Sequence, residues 1–283
     1  MSTPTGREKL AALQAQQARA ARQKKLLALT SGAVVVVLAI VAVFYLVGRS
    51  NADSANKKAV SATADAAYLK TVQNIPAKTF DTVGAGSASG APKQIKDTPL
   101  TKDGKPEVLY VGAEFCPYCG MERWALTAAL SRFGTFSGLK TAVSTQRDNV
   151  VNIPTMTYLK ATYTSKYLTF TSFETEDRDQ NPLQAPSTQA QSLAQKYSGG
   201  SIPFVDYGNV AVTSGATYQG ASFMQNVSGN AIAAKLKDPN STESQNILGA
   251  ANVITNQLCQ LTKGEPASVC TSIGVARAGA LKR

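Results

Sequence analysis

The chain has 283 residues, 43% of them hydrophobic and 17% charged, with a net charge of +11 and no histidine. Without histidine there is no His-based catalytic triad, no His metal site, no copper site pairing two cysteines with a histidine, and no imidazole acid–base chemistry. No phosphate-binding loop, EF-hand loop or dinucleotide fingerprint occurs either, which leaves mainly the sulfur chemistry of four cysteines.

Residues 1–25 form a basic tail in which Arg7, Lys9, Arg19, Arg22, Lys24 and Lys25 face Glu8 alone. The remaining excess charge is scattered rather than interleaved with aromatic residues, so no nucleic-acid partner is expected. Residues 26–47 then run without a charge. A bilayer span needs about 20 apolar residues, and a helix is the state that satisfies the backbone of a lone span. This predicts a transmembrane helix over 26–48. Basic residues abut its start, and fewer (Arg49, Lys57, Lys58) follow it. The positive-inside rule therefore predicts a single-pass cell-membrane protein with a cytoplasmic N-terminus and an extracytoplasmic C-terminal domain. The basic tail lies where it meets membrane lipid. The apolar run exceeds the roughly 7–15 residues of a signal-peptide core, which favours an uncleaved anchor. Ala52, Ser54 and Ala55 leave cleavage open as the alternative.

Residues 49–100 read as a stalk or linker with short ordered parts, among them a helical turn at 67–72 and a flexible Gly/Ser run at 84–92. The folded domain is expected over 101–283. Its predicted elements alternate: a buried strand at 108–112, a helix over 119–133 with Leu126, Ala129, Leu130 and Phe133 at helical spacing, and a strand at 139–144. An insert at 149–166 precedes a β-branched and aromatic strand at 167–173. A helix over 187–197 follows, with Ser187 as N-cap. A β-hairpin over 199–212 turns at Gly208–Asn209, and helices at 231–237 and 242–261 complete the reading.

Cys116 and Cys119 lie in Glu-Phe-Cys-Pro-Tyr-Cys, between the first strand and the first helix. On such a corner Cys116 sits just outside the helix and Cys119 inside its first turn, within disulfide reach. Unpaired N–H groups and the helix dipole then stabilise a thiolate at Cys116, and Pro117 suits a first turn that needs no N–H. Thiol–disulfide exchange is the chemistry this serves, with Cys116 attacking and Cys119 resolving. A permanent local disulfide and half of a zinc site are the alternatives. Cys259 and Cys270 read as a structural disulfide, because an even cysteine count in an exported domain favours oxidation. Such a short loop contributes about 3 kcal/mol when closed. An electron relay to the first pair is one alternative. A four-cysteine zinc site is another, although the gap between Cys259 and Cys270 suits zinc poorly. No metal or organic cofactor is implied.

The order of elements, with a dithiol at the first strand–helix corner, resembles the thioredoxin-like superfamily. Gly112-Ala113-Glu114-Phe115-Cys116 is similar to the segment leading into the thioredoxin dithiol, and Cys-Pro-Tyr-Cys to that of glutaredoxins. The stretches 116–126, 130–136 and 163–170 resemble an uncharacterised prokaryotic family of membrane-anchored thioredoxin-like proteins. The likeness spans about residues 74–272. It implies a thioredoxin-like α/β fold with extra helices and an insert. It also implies that Pro203 is the cis-proline packed against the dithiol, and that Ile202 before it offers backbone hydrogen bonds to substrate, alongside Pro117 and Tyr118. Pro154 competes for the role of Pro203. Where thioredoxin has a buried acid six residues before its first cysteine, this chain has Tyr110. Glu114 is nearer the dithiol, as a proton shuttle through water or simply as an exposed residue, and Trp124 reads as packing.

These readings converge on a membrane-anchored extracytoplasmic thiol–disulfide oxidoreductase whose partners are cysteine-containing exported or membrane proteins. The alternative is a redox-idle accessory or assembly subunit of a larger membrane complex, for example a respiratory one, with the insert and the C-terminal helices covering a partner.

Overall fold

The computed structural model describes residues 67–281. The basic tail, the predicted membrane helix at 26–48 and the first part of the predicted stalk lie outside the described residues. Among the described residues no helix is long and apolar enough to cross a membrane. The fold is α/β, with a central mixed sheet between helices.

Two short helices come first, α1 (Ala67–Gln73) and α2 (Ala77–Val83). Tyr68, Leu69, Val72, Phe80 and Val83 all enter the main core. The helical turn expected at 67–72 is α1, and the region read as linker supplies part of the domain, because the apolar residues of both helices recur at helical spacing, in α2 within a segment too short to stand out in the sequence. The short strands β1 (Lys93–Gln94) and β2 (Thr101–Lys102) lead into β3 (Lys105–Gly112). Alternate residues of β3 feed two cores: Val108 and Tyr110 one, Leu109 and Val111 the other. Burial on both faces is why this strand reads as an unbroken apolar run.

Helix α3 (Pro117–Leu130) follows, and all its residues but Tyr118 are buried. It lacks a polar face because neighbours surround it: the sheet, the insert, and helices on either side. Trp124 Nε1–H donates to the Pro154 carbonyl at 2.7 Å, and its ring stacks on Tyr68.

Four short strands follow: β4 (Gly134–Ser137) and β5 (Lys140–Val143), then, within the insert, β6 (Pro154–Thr157) and β7 (Thr162–Ser165). They form two small antiparallel sheets, β4 with β7 and β5 with β6. The strand expected at 139–144 thus exists but lies outside the central sheet. In β5 only Ala142 is buried, so the segment lacks the two apolar faces that a central strand needs. The parallel partner of β3 is instead β8 (Thr169–Glu174), in register from Glu107↔Thr169 to Gly112↔Glu174. Phe136, Tyr158, Tyr163 and Phe170 join the insert to the sheet through edge-on and stacked ring contacts.

Helix α4 (Thr188–Ser198) is capped by Ser187, whose Oγ accepts from Ala190 N–H at 3.2 Å. It ends at Gly199 in the left-handed conformation, the usual stop for a helix. The strands β9 (Phe204–Tyr207) and β10 (Ala211–Ser214) form a hairpin, with Gly208 and Asn209 both at positive φ as its two-residue turn requires. The sheet runs β1–β10–β9–β3, with β8 on the far side of β3 and β2 paired to the start of β3. The strand β9 is antiparallel to β3, whereas β8 is parallel to it.

Beyond a 3₁₀ turn (Ala221–Met224) lie α5 (Gly229–Lys235), a π-helical turn (Ser244–Leu248) running into α6 (Gly249–Leu261), then α7 (Ala267–Cys270) and α8 (Ile273–Gly279). Helix α6 packs on α3. A disulfide joins Cys259 to Cys270, with Cα atoms 5.5 Å apart across 11 positions. Replacing Cys259 by Ser removes the cross-link from the unfolded chain as well as the folded one. The expected loss, read by denaturant unfolding, is about 3 kcal/mol. A loss under about 0.5 kcal/mol would show that the ends of this loop are already held by packing.

Candidate functional site

Cys116 is the N-cap of α3, and Pro117 is its first residue. The Cys119 N–H, one of the donors that a helix start leaves unpaired, points at Cys116 Sγ from 3.2 Å. Neither thiol is in a disulfide. Cys116 is 5% exposed and Cys119 fully covered, whereas Tyr118 between them is 50% exposed. The side-chain hydrogen bond with Cys119 lowers the pKa of Cys116. The N–H groups of Cys119 and Tyr118 and the charge of Arg123 act in the same sense, against the upward push of burial. Burial drives Cys119 well above the ordinary thiol range. The two sulfurs therefore differ in kind, one prepared to ionise and the other held protonated.

Across from the dithiol, the Ile202–Pro203 peptide bond is cis. Among the described residues the other cis bond is Glu265–Pro266, and Pro154 is not cis. Cys116 Sγ lies 4.0 Å from the Ile202 carbonyl. Ile202 packs against the cluster of Ala113, Cys116 and Cys119 and also lines a cleft of about 890 Å³ between α4 and the end of β8, with Val111, Thr175, Gln191 and Gln195 among its walls. Cys116, Cys119, Pro117, Tyr118, Ile202 and Pro203 are thus brought to one corner. Cys259 and Cys270 form their own disulfide within the C-terminal helices.

Beneath the corner lies a group of buried charges. Arg123, one helical turn past Cys119, has no solvent contact. Its Nη1 donates to Glu174 Oε2 at 2.8 Å, to the Tyr110 hydroxyl at 3.1 Å and to the Ala113 carbonyl at 3.2 Å. Glu174 accepts a further bond from Tyr158 N–H at 3.2 Å. Tyr110, in place of an acid, gives this network a hydroxyl. Gly112 is required above it, since a Cβ there would stand 2.1 Å from the Tyr110 oxygen. Glu114 is buried rather than exposed. Its backbone N–H donates to Glu176 O, and the next segment is pinned where Thr145 N–H donates to Phe115 O. Arg123 and Glu174 carried no signal on their own. Glu122 and Arg123 are, however, the two charges in a helix otherwise uncharged from Pro117 to Leu130, and charge in such a helix marks a buried network.

A family model described as "Domain of unknown function (DUF929)" matches residues 91–260. The chain belongs to that family. The DUF929 segment contains Cys116, Cys119, Arg123, Glu174 and Pro203. It begins after α1 and α2 and stops before α7 and α8, so Cys259 falls within it and Cys270 outside it. No curated protein and no solved structure matches the chain.

The two thiols of this DUF929 member should label unequally. In the reduced protein at pH 6, iodoacetamide should modify Cys116 at least about tenfold faster than Cys119, read by mass spectrometry of the peptides. Equal, slow labelling would remove the electrostatic distinction between them.

Glu122, on the same helix, is fully buried and accepts from Thr217 N–H at 2.7 Å and from its hydroxyl at 2.9 Å. Burial pushes its carboxyl up to about 7 from 4.5. A raised carboxyl stabilises the fold fully below about pH 4.5, and that stabilisation is lost as pH rises through about 7. Glu122→Gln keeps an acceptor without the charge. The variant should gain on the wild type by up to about 3 kcal/mol at pH 8, with the gap closing towards pH 4.5. A gap independent of pH would show that Glu122 does not titrate in this range.

Proposed function

We propose that this chain is a membrane-anchored extracytoplasmic thiol–disulfide oxidoreductase with a thioredoxin-like fold, acting on cysteine-containing exported or membrane proteins. The observation that carries the reading is the placement of Cys116. It caps α3 within reach of the Cys119 N–H and faces the carbonyl that precedes a cis-proline. A strand order of β8–β3–β9–β10, with β8 parallel and the hairpin antiparallel to β3, supports the thioredoxin-like assignment. The anchor and its orientation rest on the apolar run at 26–47 and its basic flank.

In this reading the Cys116 thiolate attacks a target disulfide. One target sulfur joins Cys116 in a mixed disulfide, and the other leaves as a thiolate that takes a proton from solvent. Cys119 then attacks Cys116 Sγ, expels the second target sulfur and closes the Cys116–Cys119 disulfide, so that two electrons have passed to the target. Run backwards, the same steps oxidise a target dithiol. Tyr118, exposed beside the thiols, and the Ile202 backbone hold the target chain. Pro117 and Pro203 shape the approach.

Cys119→Ser stops the resolving attack and should accumulate covalent adducts through Cys116 that reductant releases, seen as slower-migrating bands on non-reducing gels. Cys116→Ser should accumulate none. Suppose Cys119→Ser traps nothing, and the double Ser variant restores whatever deletion of the chain abolishes. The dithiol is then dispensable, and the accessory-subunit reading replaces this one.

A further inference from the structure

Glu122 is fully buried in α3 and, unlike Arg123 beside it, has no ion-pair partner among the described residues. Both its oxygens serve one residue: Oε2 accepts from Thr217 N–H at 2.7 Å and Oε1 from the Thr217 hydroxyl at 2.9 Å. A buried carboxylate without a counter-charge is costly, and an apolar side chain of similar size fills such a place at less cost. What the carboxylate adds is a fixed acceptor for two donors at once.

Thr217 lies in the segment 215–218, which leaves β10. Strand pairing ends at Ser214↔Phe204, and Gly215, at a φ of 84°, turns the chain out of the sheet. Gly215 N–H donates to the Pro203 carbonyl at 2.9 Å. The Tyr218 hydroxyl donates to the carbonyl of Met121, next to Glu122 on α3, at 3.0 Å. From the other side Ser89 N–H donates to Thr217 O at 2.8 Å. The contacts close into a ring. Cys116 caps α3, and Glu122 lies about one turn past Cys119 on that helix. Thr217 is held by Glu122, Gly215 holds Pro203, and the Ile202 carbonyl returns to 4.0 Å from Cys116 Sγ.

We propose that Glu122 is a positioning residue for the target-binding corner: through Thr217 and Gly215 it fixes the Ile202–Pro203 segment opposite Cys116, so that a target chain meets the thiol and the Ile202 backbone together. The inference rests on the exchange reading of the dithiol. Glu122 takes no part in bond making or proton transfer. It acts through the placement of a backbone segment, and a misplacement of about 1 Å at a reacting corner costs on the order of a hundredfold in rate.

Three tyrosines interact electrostatically with the carboxyl: Tyr158, which follows β6, Tyr207 of β9 and Tyr218 of the clasped segment. Burial holds all three hydroxyls above the ordinary tyrosine range, so they stay neutral while Glu122 titrates. At pH 8 the Glu122 carboxyl, raised to about 7, is mostly ionised, and both its oxygens accept from Thr217. Glu122→Gln keeps one acceptor and turns an amide NH₂ towards the second donor, so one of the two bonds is lost.

The test uses the reduced full-length chain in detergent at pH 8. It is mixed with a short peptide closed by one disulfide, whose fluorophore and quencher separate when that bond opens. In Glu122→Gln and in Thr217→Val the second-order rate constant for opening the peptide should fall about tenfold, whereas Thr217→Ser, which keeps both donors, should stay within about twofold of the wild type. Labelling of Cys116 by iodoacetamide, which needs no contact with the Ile202 backbone, should stay within about twofold in every variant. Glu122→Gln should lose this rate while resisting denaturant better than the wild type at the same pH, a combination that loss of folding does not produce. Unchanged peptide kinetics in Glu122→Gln and Thr217→Val overturns the proposal and leaves the exchange reading standing. Equal loss of peptide and iodoacetamide reactivity also overturns it, since Glu122 then supports the thiol itself. Failure of the wild type to open the peptide disulfide overturns both readings.

Discussion

A guanidinium that never meets water lies at the centre of this domain, and much of the surrounding structure is arranged to keep it there. Burying one charge costs several kcal/mol unless its partners are close and complete. Arg123 finds its partners on two separate pieces of chain: Glu174 at the end of β8, and the stretch from Tyr110 on β3 to the Ala113 carbonyl just before the dithiol. The ion pair therefore ties the two parallel strands to the helix that begins with the cysteines. Gly112 belongs to the same constraint, since the Tyr110 hydroxyl occupies the space that a side chain at 112 needs. Removing either member of the pair leaves the other charge buried alone, so the corner that carries the thiols depends on both.

The geometry of the thiols follows from that frame. With α3 held on the sheet by its buried face, its first turn presents the Cys119 N–H to Cys116 Sγ, and the helix sends Cys119 inward. The cis bond at Ile202–Pro203 brings a carbonyl to the same sulfur from the hairpin side. One cysteine thus keeps a small exposure and is acidified, and the other is fully covered and held as a thiol. That asymmetry is what sequential attack and resolution require. The same frame leaves Glu114 buried beside the charged pair, because the segments around Thr145 and Glu176 close over residues 114–115 by backbone hydrogen bonds.

Local signals in the sequence translate well into structure. Ser187 caps α4 through its own hydroxyl, the Gly208–Asn209 pair turns the hairpin at positive φ, and the apolar run at 108–111 is a strand buried on both faces. Each depends on residues within a few positions of one another. What depends on distant partners is hidden. The strand near 140 is legible as a strand, yet nothing local says that it pairs with β6 and leaves the place beside β3 to β8. Helix α1 is legible as the turn at 67–72, whereas α2 looks like linker because it buries only a few side chains, and the packing of both appears only once Tyr68 meets Trp124 and Phe80 enters the core. The burial of Glu114 and the pairing of Arg123 with Glu174, 51 positions away, are likewise invisible until the chain is folded. At the site, then, the thiols and their spacing are readable, and the charges that set their chemistry are not.

Whether Cys116 and Cys119 form a working couple is tested most directly by their reduction potential. The full-length protein is equilibrated in glutathione or dithiothreitol redox buffers, quenched with acid, and its free thiols counted by mass after alkylation. A functional couple gives one reversible two-electron transition between about −270 and −120 mV, the range spanned by thioredoxin, glutaredoxins and the strong dithiol oxidants. The Cys259–Cys270 bond, separately resolved by its peptides, serves as the structural reference. If the Cys116–Cys119 pair forms no disulfide across the series, or forms one reduced only below about −300 mV as structural disulfides are, the exchange function is contradicted.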